Sequence, residues 1–190
     1  KVIVYGGGGI GNLASLCLKR NGFDVCQIKS DINNTTDRTY ALSPGSVDWM
    51  RSIGLRDKFF NSLYPIENIQ IVRQDSKTSF SADSVFQPAL AYMVSEKELM
   101  KEIQIKLTSE DIKLFVEPKK INLDNSSDEV LIELGKESLH ASLLIACDGA
   151  NSKIKEHLNI RKKIKNFNQN AIVFNFETSK NIGKNAKQYF

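Results

Sequence analysis

The chain has 190 residues, of which 41% are hydrophobic and 25% are charged, so it is long enough for a globular domain with a core of useful size. Its net charge of +4 comes from lysines spread along the sequence, which excludes the dense basic stripe of a nucleic-acid-binding domain. One basic cluster, Arg161, Lys162, Lys163 and Lys165, is interpreted as a solvated face.

Targeting and metal-binding signals are absent from the sequence. No apolar run approaches the roughly 20 residues that a membrane helix needs. A strand-like run begins at Lys1, where a signal peptide would lie. The three cysteines, Cys17, Cys26 and Cys147, lack metal-ligand spacing, and no metal site is predicted. Their apolar surroundings indicate a reduced, cytoplasmic protein.

A strand, a turn, a helix and a second strand are predicted at the start of the chain. Residues 2–5 form a short apolar run, which is typical of a strand buried on both faces. Five glycines in the next six positions lead into apolar residues at helical spacing, and Asn21-Gly22 predicts the end of that helix. Residues 23–28 then predict the second strand.

The rest of the chain alternates between short helices and strands. A polar loop is predicted over residues 31–37, and Ser43-Pro44 predicts the start of a helix that runs to residue 53. A capping box from Ser95 to Glu98 predicts a further helix to about residue 107. Strands are predicted over 66–73, within 78–91, and over 113–117, 130–134, 139–146 and 171–176, with a turn at 125–128 and a short helix at 151–158.

The glycine turn has the spacing of a dinucleotide-binding fingerprint, Gly6-x-Gly8-x-x-Gly11. The first glycine permits a tight turn off the strand, the second lets the backbone approach a pyrophosphate, and the third lets the helix pack closely on the strand. Gly9 and Ile10 supply amides at the positive end of the helix, which suits phosphate groups. We therefore predict a nucleotide site at this turn.

One position departs from that fingerprint. Dinucleotide-binding folds place Asp or Glu near the end of the second strand, where the carboxylate accepts hydrogen bonds from the adenosine ribose. Eighteen residues beyond Gly11, this sequence has Lys29. Loss of a hydrogen bond to a charged acceptor costs about 1.5–3 kcal/mol, or about one to two decades in affinity. Three interpretations stay open: Asp31 or Ser30 binds the ribose, Lys29 binds a 2′-phosphate, or the cofactor is weakly bound or absent.

Three further segments carry a family resemblance. They are residues 37–46 with Ile53-Gly54-Leu55, residues 144–155 around Asp148-Gly149, and residues 170–175 with 186–190. Together with the glycine turn, they resemble the ubiquinone-biosynthesis hydroxylases, FAD-dependent class A flavin monooxygenases related to para-hydroxybenzoate hydroxylase. The resemblance extends from about Val2 to Phe190.

The resemblance implies an α/β fold with a Rossmann-like FAD-binding domain and interleaved antiparallel strands of a substrate subdomain. It assigns residues 1–65 and 95–160 to the FAD-binding domain, and residues 66–94 and 161–190 to part of the substrate subdomain. Members of the family continue for about as many residues again, so we expect this chain to be a truncated piece of a longer protein.

The resemblance also assigns residues to the cofactor. It implies that Arg38 lies beside the flavin and that Asp148-Gly149 contacts the pyrophosphate and ribityl region of FAD. The residues alone leave an alternative open at each place: a surface salt bridge for Arg38, and a cap on the helix at 151–158 for Asp148.

The activity implied by the resemblance is hydroxylation of an aromatic ring of a ubiquinone precursor, with FAD as cofactor and NAD(P)H and O2 as co-substrates. No catalytic side chain is assigned. A polyprenylated aromatic substrate implies association with a ubiquinone-biosynthesis complex or with the surface of the inner membrane, and a homo-oligomer is left open. Two other hypotheses are kept: an NADPH-dependent reductase in which Lys29 binds the 2′-phosphate, and a degenerate, non-catalytic flavoprotein half.

Overall fold

The computed structural model describes residues 1–30, 36, 38–118, 123–124, 129–135 and 137–190. The predicted turn at 125–128 and most of the predicted loop at 31–37, Asp31 included, lie outside the described residues. The elements are, in chain order, β1 (Val2–Tyr5), α1 (Gly9–Arg20), β2 (Val25–Lys29), β3 (Thr39–Leu42), α2 (Pro44–Ser52), α3 (Asp57–Phe60), β4 (Tyr64–Ile66), β5 (Asn68–Arg73), β6 (Ser76–Ser81), β7 (Ala91–Ser95), α4 (Glu96–Ser109), β8 (Lys113–Val116), β9 (Leu123–Asp124), β10 (Val130–Leu134), β11 (Glu137–Ala141), β12 (Leu143–Ala146), α5 (Lys153–His157) and β13 (Asn185–Tyr189).

The chain forms two compact units, one of Lys1–Asn34 with Ile103–Phe167 and the other of Thr35–Glu102 with Asn168–Phe190. The first unit contains a parallel sheet in the order β12-β1-β2-β8. Its central strand β1 is buried along its whole length, as the apolar run at 2–5 predicts. The register places Tyr5 beside Ile28 on one side and Ala146 on the other, so three strands end at the same edge of the sheet.

A second layer of the first unit is an antiparallel sheet in the order β11-β10-β9. The predicted strand at 139–146 is split at Ser142, whose amide donates to the carbonyl of Lys1 at 3.1 Å. Residues before the split belong to this antiparallel sheet, and those after it join the parallel sheet. The buried apolar core of the unit consists of Ile3, Tyr5, Cys26, Ile28, Ile132, Leu139, Ala141 and Ile154.

The second unit contains two three-stranded sheets, in the orders β3-β7-β4 and β13-β5-β6. Both helix starts predicted in this part of the chain are confirmed. The Ser43 hydroxyl accepts from the Ser46 amide at 3.1 Å at the start of α2, with Pro44 in the first turn. The Ser95 hydroxyl accepts from the Glu98 amide at 3.2 Å at the start of α4, and it donates to the Glu98 carboxylate at 3.0 Å.

The predicted strand at 171–176 is wrong. Those residues belong to no helix or strand and are exposed, Ile172 by 85% and Phe174 by 69%. The last strand is instead β13, which pairs in parallel with β5. An apolar run indicates which residues prefer burial, but it does not provide the neighbouring strand that a β-strand needs.

The α/β fold class, with a parallel sheet and additional antiparallel sheets, is confirmed. The two compact units divide between residues 34 and 35, 102 and 103, and 167 and 168. The assignment of residues 1–65 and 95–160 to FAD binding, and of 66–94 and 161–190 to a substrate subdomain, stays a prediction. None of the described helices is long and apolar enough to cross a bilayer.

Candidate dinucleotide site

The glycine turn leaves no room for side chains at its two ends. Gly6 has φ +129, and a Cβ placed on it would lie 2.2 Å from the carbonyl oxygen of Cys147. A Cβ on Gly11 would lie 2.1 Å from the carbonyl oxygen of Gly6. Both distances are far below van der Waals contact, so glycine is required where β1 leaves the sheet and where α1 packs against the turn.

The turn is open at Gly8, where the helix begins. Gly8 is the N-cap of α1, and no atom lies within 4 Å of a Cβ placed there. The first helical hydrogen bond runs from the Asn12 amide to the Gly8 carbonyl at 3.0 Å, and no described side chain caps the amides that precede it. The amides of Gly9 and Ile10 therefore carry the partial positive charge of a helix N-terminus and have no acceptor among the described residues, an arrangement that fits a phosphate group.

A buried polar pair holds this turn in place, and sequence reasoning missed it. The Gln27 side-chain amide donates to the Gly6 carbonyl and to the Asn12 side-chain oxygen, both at 2.8 Å. Gln27 is fully buried and Asn12 is 3% exposed. A glutamine inside an otherwise apolar strand was the available signal, because a buried amide must find partners.

Lys29 lies at the carboxyl end of β2, beside the turn. A Cβ placed on Gly7 would lie 2.5 Å from the Cβ of Lys29 and 3.4 Å from its Cδ. The lysine stem therefore runs along the backbone of the glycine turn, and the residue is partly buried. The structure thus brings the predicted Gly6, Gly8, Gly9, Ile10, Gly11 and Lys29 together in one place.

Asp148 and Gly149 follow β12, the strand next to β1. One Asp148 carboxylate oxygen accepts from the Ile154 amide at 3.1 Å, so this side chain caps α5 as the residues alone allowed. The Ser152 hydroxyl accepts from the Lys155 amide at 3.0 Å at the same helix start. Asp148 and Gly149 also line an apolar cavity of about 420 Å³, together with Ser142, Leu143, Ser152, Lys155 and Leu158.

A second network beneath the turn was also not predicted. The Tyr5 hydroxyl donates to a Glu117 carboxylate oxygen at 3.1 Å, and the Lys153 ammonium lies 3.0 Å from the same oxygen. Burial, reinforced by the Glu117 carboxylate, raises the pKa of Tyr5 above its usual range, so the phenol stays protonated as the donor. The network joins the ends of β1 and β8 to the first residue of α5.

Arg38 belongs to the second compact unit. Its Nε donates to the Thr36 hydroxyl at 2.9 Å, and the Thr36 amide donates to the Glu96 carboxylate at 3.0 Å. The Tyr40 hydroxyl donates to the other oxygen of Glu96 at 2.9 Å. Hydrogen bonds from Thr36 lower the pKa of Glu96. Arg38 therefore sits in a hydrogen-bonded polar cluster within its own unit.

The described residues include no group of three or more His, Cys, Asp or Glu side chains placed to hold a metal ion.

A family model described as FAD binding domain matches residues 1–188. The chain belongs to this family. The FAD-binding family predicted from the residues is therefore confirmed, and the open, uncapped start of α1 at Gly8 is compatible with the pyrophosphate of FAD. Lys29 is the position that does not match the usual ribose contact.

Individual relatives support the same family. The 3-demethoxyubiquinol 3-hydroxylase of Escherichia coli is 25% identical over 201 residues, covering 100% of this chain and 51% of that protein. The chain thus spans about half the length of the curated relative it matches.

Two solved structures share the fold. The p-nitrophenol 4-monooxygenase of Pseudomonas putida has 21% identity and a TM-score of 0.68, over 83% of this chain and 42% of that one. A flavin-dependent monooxygenase solved with FAD and substrate has 17% identity and a TM-score of 0.68, over 83% of this chain and 31% of that one.

Proposed function

We propose that this chain binds FAD at the glycine turn and is the FAD-binding part of an aromatic-ring monooxygenase. The observation that carries the proposal is the open N-terminus of α1: no atom lies within 4 Å of a Cβ placed on Gly8, and the amides after it have no acceptor in the part of the chain that the structure describes. In a chain of the FAD-binding family, the pyrophosphate is the group that such an anion site receives.

The chain's own residues have distinct tasks in this proposal. The amides of Gly9 and Ile10 donate to the pyrophosphate, and Gly8 keeps the approach free of side-chain atoms. Gln27 fixes the turn through the Gly6 carbonyl. Asp148 and Gly149 bind the pyrophosphate and ribityl region, with the Asp148 oxygen that does not cap α5 available as acceptor. We assign Arg38 to the flavin side of the active site.

The reaction we propose is hydroxylation of an aromatic ubiquinone precursor. Bound FAD supplies the oxygen chemistry, with NAD(P)H as the reductant. Support for this substrate comes from the printed name of the 25% identical Escherichia coli relative. A polyprenyl chain on the substrate would bring the protein to a membrane surface or to a biosynthetic complex, and the full-length protein is the form that carries out the reaction.

Titration with FAD tests the binding site, followed by the change in flavin fluorescence. The variant is Gly8→Ala, which the fold accommodates because no atom lies within 4 Å of the added Cβ. We expect FAD to bind at least about tenfold more weakly, since the methyl group displaces the pyrophosphate from its amides. Gly45→Ala is the matched control, because its Cβ also enters open space, in α2. Equal FAD affinity in Gly8→Ala and wild type would contradict the site.

The hydroxylation is tested separately on the full-length protein, with a demethoxyubiquinol, NAD(P)H and isotopically labelled O2. We expect the label in the new ring hydroxyl. Oxidation of NAD(P)H with no labelled product would contradict the proposal that a demethoxyubiquinol is the substrate. It would not contradict the proposed FAD site.

Lys29 favours a second candidate function, an NADPH-dependent reductase that binds its pyridine nucleotide at the glycine turn. Tight FAD binding that NADPH does not displace would contradict it.

A further inference from the structure

Glu117 lies directly after β8, at the edge of the parallel sheet where β1, β2 and β8 end. Its backbone amide donates to the Lys29 carbonyl at the end of β2, at 2.8 Å. Its carboxylate accepts from the Tyr5 hydroxyl at 3.1 Å and forms an ion pair with the Lys153 ammonium at 3.0 Å. The Glu117 side chain is 18% exposed, so water screens these contacts less than those of a surface pair. Glu117 therefore connects the ends of the sheet with the start of α5.

The start of α5 is in turn tied to Asp148. One Asp148 carboxylate oxygen accepts from the Ile154 amide at 3.1 Å, and Lys153 is the residue before Ile154. Ile154 is 3% exposed and belongs to the same buried cluster as Tyr5. The sheet holds the backbone as far as Cys147, whose amide donates to the Tyr5 carbonyl at 2.7 Å. Asp148 lies beyond that contact, so the placement of α5 determines where its carboxylate points.

We propose that Glu117 and Lys153 are positioning residues for FAD, because they hold α5 where the second Asp148 carboxylate oxygen can accept from the ribityl hydroxyls. The inference rests on the proposed function, in which FAD lies at the glycine turn and Asp148 contacts its ribityl region. A carboxylate is an acceptor only, so it gains from the hydroxyls and gains nothing from the pyrophosphate. The ion pair should therefore support binding of the ribityl part of FAD, and the ADP part should depend on the glycine turn.

Binding of FAD and of ADP to the purified chain, each measured by isothermal titration calorimetry, tests this role. ADP contains the adenosine and both phosphates of FAD but lacks the ribityl chain. The variant is Lys153→Met, which breaks the ion pair at a half-exposed position and keeps the hydrogen bond from Tyr5 to Glu117. We expect FAD to bind about three- to fivefold more weakly, whereas ADP affinity should stay within about 1.5-fold of wild type.

Two further variants serve as rescue and control. Lys153→Arg keeps the cation and should restore the wild-type affinity for FAD. Lys106→Met is the matched control, because it changes the net charge equally and breaks an ion pair with Glu110 in the same compact unit. Its affinities for FAD and ADP should equal those of wild type. An equal loss of FAD affinity in Lys106→Met would assign the effect to net charge and overturn the positioning role.

A double variant distinguishes positioning of Asp148 from a merely structural role. Asp148→Ala removes the acceptor through which Lys153 acts, so Lys153→Met added to it should weaken FAD binding by less than about 1.5-fold more. A further loss as large as that in the single variant would show that Lys153 acts independently of Asp148, and would overturn the inference.

The outcomes for this inference differ from those for the proposed function. If FAD binds to wild type and Lys153→Met leaves its affinity unchanged, or weakens FAD and ADP equally, the positioning role is wrong. Neither result would contradict the proposed FAD site. If wild type does not bind FAD at millimolar concentration, both proposals are wrong.

Discussion

Two neighbouring strands of the parallel sheet, β1 and β12, each end at the same edge and lead through a turn into a helix, α1 or α5. The amides at the start of α5 are occupied by the chain itself, through Ser152 and Asp148. Those at the start of α1 follow Gly8, which has no side chain to offer. Among the described residues, the start of α5 satisfies its own donors, whereas the start of α1 leaves them open, and we propose the open start as the pyrophosphate site.

The largest effect on the free energy of unfolding is expected at Gly6, in the turn that precedes α1. Gly6→Ala should lower the free energy of unfolding by about 3 kcal/mol or more. The alanine would have to adopt a positive φ, and its Cβ would clash with the Cys147 carbonyl oxygen, 2.2 Å away. Gly22→Ala, where φ is also positive but the Cβ meets no atom, should cost only about 1–2 kcal/mol. Urea denaturation measures both. Equal losses would show that the turn is not held by close contact with the end of β12.

A smaller effect is expected at Gln27. Gln27→Leu leaves the Gly6 carbonyl and the Asn12 side-chain oxygen without their buried donor, and should cost about 1–3 kcal/mol of stability. Gln70→Leu, on the partly buried strand β5, should change stability by less than about 0.5 kcal/mol. Denaturation midpoints that move equally in the two variants would contradict the role of Gln27.

The smallest effects on stability are expected when the side-chain cap of α5 is removed or when a cap is added to α1. Ser152→Ala should destabilise the protein by about 1 kcal/mol through loss of the Lys155 amide contact. Gly8→Ser adds a cap to α1 and should raise the stability of the FAD-free protein by a few tenths of a kcal/mol (about 0.3). It should also weaken FAD binding, because the serine hydroxyl would accept a hydrogen bond from an amide of the first turn of α1 that would otherwise bind the pyrophosphate. Unchanged FAD affinity in a stabilised Gly8→Ser protein would contradict the role of free amides.

The glycine turn could be predicted from the sequence because its requirements are local. A strand, closely spaced glycines and a helix lie within the first 20 residues. A Cβ on Gly6, Gly7 or Gly11 would clash with atoms of that stretch or with residues at the ends of the neighbouring strands. The family resemblance added Asp148-Gly149, and the structure places them at the end of the strand next to β1.

Features that depend on distant partners could not be predicted. Tyr5 and Glu117 are separated by 112 positions, and nothing in either local sequence pairs them. The split at Ser142 depends on two sheets competing for one apolar run. The exposed stretch at 171–176 has a strand-like pattern, but β13 rather than this stretch pairs with β5.

The most direct test of the central claim is whether the wild-type protein retains FAD. The purified chain is incubated with excess FAD, passed over a gel-filtration column, and its visible absorption spectrum is recorded. We expect the flavin bands to coelute with the protein, since no described residue occupies the amides at the start of α1 that would bind the pyrophosphate. A folded but colourless protein peak would contradict it.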